Sequence, residues 1–175
     1  MSRATLGRCV SVLSVWSVVT IWWFASTGAA MAGCTDPARP GVDWLRCYHE
    51  ERLLTGVDLS GARLRDARFA RADMSNSNLT GIDARRAKFI AAKLSGVRLD
   101  EANLTEADFT RADLTGASFK NADLRRSRLF RANLRRADFT GARIDGADLL
   151  NADLSGATWI DGTSVCAEGS VSQCK

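Results

Sequence analysis

From Val57 to Asp161 a large apolar residue stands two positions after a small one, and the pair recurs every five residues through 21 consecutive units. The unit reads Ala-Asp/Asn-Leu/Phe-x-x, as in Ala107-Asp108-Phe109-Thr110-Arg111 and Ala112-Asp113-Leu114-Thr115-Gly116. The small position is Ala in 16 of the 21 units, the exceptions being Val57, Ser77, Ile82, Val97 and Ser127. An α-helix turns about 100° per residue, so a five-residue spacing would scatter the large residues around its circumference, and helix is excluded. The inward positions alternate in gaps of two and three. A gap of two keeps both side chains on one face of an extended segment, and a gap of three requires an extra residue and a bend. The chain therefore turns a corner every five residues. Four corners close a square, which stacks residues 20 apart at the roughly 4.8 Å spacing of paired strands. The 21 units then predict about five coils in a rod roughly 25 Å tall.

Stacking the sequence at that period brings compatible side chains together. One face carries Phe69, Phe89, Phe109, Leu129 and Leu149, and another Leu59, Leu79, Leu99, Phe119, Phe139 and Trp159. The one Ala at a central position, Ala84, sits in the unit whose small position is the large Ile82, so volume is locally conserved. Outside, Asp73, Lys93, Asp113, Asn133 and Asp153 form a column that avoids long runs of like charge. The uninterrupted A(D/N)LXX unit over residues 57–161 resembles that of the pentapeptide-repeat proteins. The resemblance implies an all-β fold, a right-handed quadrilateral β-helix. It says little about activity, because a solenoid does not determine a function.

Four segments follow: a leader over 1–32, an N-terminal cap over 33–56, the repeat helix over 57–161 and a C-terminal cap over 162–175. The leader holds Arg3 and Arg8, an apolar run from Val10 to Phe24 and small residues ending Ala30-Met31-Ala32, the three parts of a secretory signal peptide. Export with cleavage after Ala32 is the expected course, to the periplasm or outside the cell. An uncleaved membrane anchor is one alternative. Lipidation is another, since Met31-Ala32-Gly33-Cys34 resembles the lipobox of bacterial lipoproteins. Beyond Cys9 the cysteines are Cys34, Cys47, Cys166 and Cys174, an even set suited to an oxidising compartment. Bridged Cα atoms lie within about 7 Å, and the rod keeps its ends farther apart, so the expected pairs are Cys34–Cys47 and Cys166–Cys174; free thiols are the alternative. In the caps, Pro37 to Trp44 reads as an irregular loop with Trp44 over the first coil, and Trp159 tops the aromatic column.

Candidate catalytic chemistry is sparse. The one histidine is His49, and no nucleophile elbow, phosphate-binding glycine loop, CxxC or HExxH spacing occurs. The Asp and Asn residues recur with the repeat, and no loop interrupts it to carry a site. The chain reads as a non-enzyme with no cofactor and no metal. Two exterior features remain as candidate binding surfaces. One is an arginine belt of Arg125, Arg126, Arg128, Arg131, Arg135 and Arg136, partly offset by Glu106, Asp123 and Asp145 and suited to an anionic partner such as a lipid head group, an envelope polymer or an acidic protein. The other is an apolar stripe of Ala70, Ile90, Thr110, Phe130 and Leu150, a candidate homodimer or protein contact.

The best-known relatives implied by the resemblance mimic DNA with an acidic rod and inhibit a topoisomerase. Removing Arg3 and Arg8 with the leader leaves 22 basic against 20 acidic residues, and no dimerising helix follows Asp161, so that role is disfavoured. Direct nucleic-acid binding is disfavoured by the same balance. The expected function is a rigid structural or interaction module of a bacterial envelope, with a lipid- or membrane-anchored version as the alternative.

Overall fold

At the second position after each central residue as far as Leu154 the backbone enters the left-handed region, and a corner results. Gly61 has φ 65° between Leu59 and Ala62, and the Ala62 N–H donates to the Leu59 carbonyl at 3.0 Å. A positive φ at the third residue of a turn closed by such a bond is the signature of a type II turn. The same sign recurs every five residues from Gly41 to Gly156. Gly, Asn, Asp, Glu, Arg and Ala occupy those corners, and no Val, Ile or Thr does. Branching at Cβ would collide with the backbone there. Where the residue before the centre is Asp or Asn, its side chain supports the turn. Asp73, Asn78, Asp108, Asp113, Asp138 and Asp153 each accept the N–H two residues onward at 2.9–3.2 Å, the Asx geometry that makes this residue type recur.

A computed structural model describes residues 33–175. Signal cleavage after Ala32 and an uncleaved apolar anchor fall on residues 1–32, outside the described residues. Within them every fifth residue makes a parallel bridge to the residue 20 positions later, so Arg63 pairs with Asp43 on one side and with Asp83 on the other. The Arg63 N–H donates to Val42 at 2.9 Å and the Leu64 N–H to Asp83 at 2.7 Å. Four corners per 20-residue period give a square β-helix whose sides are short extended segments.

The ladder begins at Asp43, earlier than the expected boundary at Val57. Residues 42–56 are therefore coil rather than irregular cap, and the rod is longer at this end than the 21 units imply. Val42 and Cys47 fill small positions, while Trp44, His49 and Leu54 fill central ones, all buried. The apolar pattern breaks here at His49 and Arg52, but the corners at Arg46, Glu51 and Gly56 persist.

Inside, the strand spacing sets the ring spacing. Phe69, Phe89 and Phe109 stack at centroid distances of 5.2 and 4.9 Å, each pair within 6° of parallel. Phe119 and Phe139 do the same on another side at 5.1 Å, and Phe109 meets Phe119 edge-on at 6.3 Å. Ile82 and Ala84 are both buried, as the volume exchange predicts.

The ends are closed differently. At the first coil, Trp44 lies 4.0 Å from the His49 ring, and Cys34 bridges to Cys47 with Cα atoms 5.3 Å apart. At the last, the tail folds back antiparallel, pairing Val171 with Asp153 and Val165 with Thr158. Its carbonyls at Ser170, Cys166 and Ser164 accept the N–H groups of Leu154, Gly156 and Trp159. Cys166 and Cys174 are bridged, with Cα atoms 4.8 Å apart. The tail thus covers the strand edge over two sides of the square. Ile144 and Leu149, on the other two, are only partly buried.

The corner geometry yields a test. A Cβ added at Gly116 meets nothing within 4 Å, so the cost of Gly116→Ala is conformational alone. Urea unfolding is expected to show Gly116→Ala destabilising by about 1 kcal/mol and Ala91→Gly, at the same turn position with φ 53°, stabilising by a similar amount. Equal signs for the two would refute left-handed strain as the controlling term.

Candidate interaction surface

Outward side chains come from three positions of each unit: the residue before the centre, the one after it, and the corner. The 20-residue register stacks each position into columns. The arginine belt crosses several columns, and most of its charge is already engaged. Arg125 grips Asp123 at 2.6 Å and Arg135 reaches both Asp153 at 3.2 Å and Glu168 at 2.9 Å. Arg126 faces Glu106 at 3.6 Å, and Arg128 faces Asp108 at 3.7 Å. The Arg125 guanidinium holds the Asp123 carboxyl below the usual carboxylate range. Glu168 and then Asp153 raise the pKa of Arg135. Arg131 lies over the Phe130 ring, 5.1 Å from its centroid. Among the described residues, Arg131 and Arg136 have no carboxylate partner. The six do not form one free patch, because a carboxylate lies within reach of four, supplied two residues away for Arg125 and by other coils or the tail for Arg126, Arg128 and Arg135.

Part of the belt belongs to a longer ladder. Arg46, Asp66, Arg86, Glu106 and Arg126 occupy one corner in successive coils, with Arg86 bonded to Asp66 at 2.8 Å and Arg46 4.0 Å from it. Such exposed pairs contribute little individually. Alternation also keeps like charges from stacking at strand spacing.

The apolar stripe is real as a column but shallow. Ile90 and Phe130 are half-buried, and only Leu150, in the last coil, is 56% exposed. Neighbouring coils cover much of each side chain. The side carrying this stripe also bears Arg68, Lys88 and Arg128 before the centres and Arg71, Arg111 and Arg131 at the corners. Arg71 is paired with Glu51 at 2.6 Å. Arg68, Lys88 and Arg111 were not among the sequence candidates, because they lie about 20 residues apart along the chain and gather only when it is stacked at a period of 20. Tyr48 and Leu53, strongly exposed in the first coil, lie where the apolar pattern alone predicts a cap.

His49 is not a surface group. It is 1% exposed, stacked on Phe69 with centroids 5.4 Å apart, and its Nδ1 accepts from Arg52 at 2.9 Å. Burial first, then the neighbouring Arg52 charge, lowers its pKa from 6.5 to about 4. It is a neutral member of the aromatic column. Among the described residues there is no pocket and no group of three side chains able to hold a metal. No described helix is long and apolar enough to cross a membrane.

A family model described as a pentapeptide repeat region matches residues 62–139, and one for pentapeptide repeats in eight copies matches 122–158. HetL, a pentapeptide repeat protein involved in heterocyst differentiation regulation in Nostoc sp. strain PCC 7120, is 32% identical over 71% of this chain and 70% of its own, with a TM-score of 0.49. This chain belongs to the pentapeptide-repeat family. Proteins of the family form right-handed β-helices. A pentapeptide repeat protein of the Arabidopsis thaliana thylakoid lumen is 29% identical over 63% of this chain and 70% of its own, with a TM-score of 0.41. Rfr23 from Cyanothece 51142 is 25% identical over 67% of this chain and 90% of its own, at 0.44. No curated protein matches the chain.

Within this pentapeptide-repeat protein, His49 sets an acid limit. The unfolded chain takes up a proton below about pH 6.5 while the folded one resists until about pH 4, so the stability from this group is full above pH 6.5 and lost as pH falls between the two. Asp73, Asp123 and Asp153 are held below 3.8 and act only at lower pH. Urea unfolding at pH 7 and pH 4.5 is expected to show a loss of up to about 3 kcal/mol. His49→Phe, which continues the stack on Phe69, is expected to flatten that loss. An unchanged loss in the variant would assign the acid sensitivity elsewhere.

Proposed function

We propose that this pentapeptide-repeat protein is an exported, non-enzymatic module of a bacterial cell envelope that presents a rigid exterior to a protein or an anionic envelope component. The observation that carries this reading is the pair of end staples: Cys34–Cys47 and Cys166–Cys174 lie at bonding distance at opposite ends of the rod. Paired cysteines at both ends suit an oxidising compartment, and the charged, small-residue-flanked leader supplies the route. The uninterrupted ladder from Asp43 to Thr158 leaves side chains rather than inserted loops to meet a partner. The near balance of charge beyond the leader argues against DNA mimicry and nucleic-acid binding alike.

The disulfide also weighs on the lipid-anchored alternative. Acylation would consume the Cys34 sulfur and strand Cys47, which is fully buried. Fractionation of the native host followed by intact mass measurement tests the proposal. The expected result is an envelope or secreted species that begins at Gly33 and is lighter by the hydrogens of two disulfides. A diacylglyceryl adduct would support the anchored form instead. A cytoplasmic full-length chain with free thiols would overturn export altogether.

A further inference from the structure

The ion pairs of the exterior leave an imbalance between opposite sides of the square. On the side carrying the apolar stripe, the cation–carboxylate pairs are Arg71–Glu51 and Arg128–Asp108. Arg68, Lys88, Arg111 and Arg131 have no carboxylate partner among the described residues, although Arg68 lies over the Tyr48 ring at 4.9 Å. The remaining carboxylates of this side, Glu50 and Asp148, stand at its two ends. Ten residues away in register, on the opposite side, Asp58, Glu101 and Asp161 have no cationic partner among the described residues, while Asp100 and Asp138 are held by Arg98 and Lys120. The rod is thus polarised across its width.

We infer that the side bearing Arg68, Lys88, Arg111 and Arg131 around Ile90 and Phe130 docks flat on an anionic phospholipid surface. Three features select a plane of head groups over a shaped protein partner. The side presents no pocket for an anchoring side chain, as none occurs among the described residues. Its cations flank a shallow apolar seam, and the Arg131 guanidinium lies over Phe130, so aliphatic stems and ring can rest at the head-group boundary while the charges meet phosphates. The free carboxylates opposite are repelled by a negative plane, which orients the whole rod with the cationic side down. The inference deepens the envelope reading by naming the anionic partner, and it rests on that reading for its setting.

The corner position supplies conservative variants. Asn76, Asn121 and Asn151 already occupy left-handed corners, so Arg→Asn is compatible with the backbone there. The full chain, its Arg111→Asn/Arg131→Asn variant and an Arg126→Asn/Arg136→Asn control would be sedimented with vesicles of phosphatidylcholine, with and without phosphatidylglycerol. Any contribution of the leader is common to all three. The expected result is salt-sensitive binding that requires phosphatidylglycerol and falls about 30-fold in the Arg111/Arg131 variant, but far less in the control carrying the same chemical change on other corners. Lys88→Gln, on a different column of the same side, is expected to weaken binding about fivefold and serves if the double variant fails to fold. Binding that ignores phosphatidylglycerol, or that falls equally in variant and control, overturns the inference. So does retention of soluble polyglutamate without vesicle binding, which would give the side to an acidic polypeptide. Vesicle binding by a chain found in the cytoplasm would remove the envelope setting and leave the lipid contact standing, so the two failures are separable.

Discussion

The left-handed residue that closes each turn is the constraint from which the rest of this rod follows. It reverses the chain sharply enough that the next N–H, as in Ala62 to Leu59, returns to the preceding centre. Little room then remains inside the corner, which is why the residue after it is so often Ala. The period of five, the square section and the 20-residue register are consequences of repeating that turn. Composition responds to the same demand. Residues branched at Cβ are excluded from the corners, whereas Arg, long and unbranched at Cβ, is tolerated with its charge directed to solvent. Seven corners carry Arg, so the arginine-rich look of the chain owes much to backbone geometry.

Stacking at strand spacing then decides what neighbours what. Inward, it imposes ring-on-ring columns, with Phe89 held between Phe69 and Phe109. Outward, it forces charges into vertical contact, and alternation such as Arg46, Asp66, Arg86, Glu106 and Arg126 disperses the repulsion. Where alternation fails, cations are left free, and this concentrates on the side with the apolar seam. A side chain at a corner therefore serves two masters: the turn it must permit and the column it must join.

A solenoid must also stop. Here the first coil is closed from within by Trp44 and His49, and the last is closed from outside by a tail that supplies antiparallel partners to Leu154, Gly156 and Trp159. The rings close off the apolar interior, and the tail protects a strand edge that would otherwise invite another strand. Each is fastened by a local disulfide rather than by a long-range one, because the rod separates its ends.

The sequence by itself determined the period and the inward residues from Leu59 onward, since five-residue spacing admits few other solutions, and it pointed to cysteine pairs local to each end. It misplaced the start of the rod, because corners depend on backbone dihedrals that Arg46 and Glu51 can adopt without the apolar pattern that marks a unit. The belt from Arg125 to Arg136 was legible as a run, yet its partners Glu106, Asp108, Asp153 and Glu168 are distant in sequence. Only the tertiary structure decided which cations are free. Electrostatic neutralisation acts through space at a few ångströms, and the register alone brings residues 20 apart to that distance.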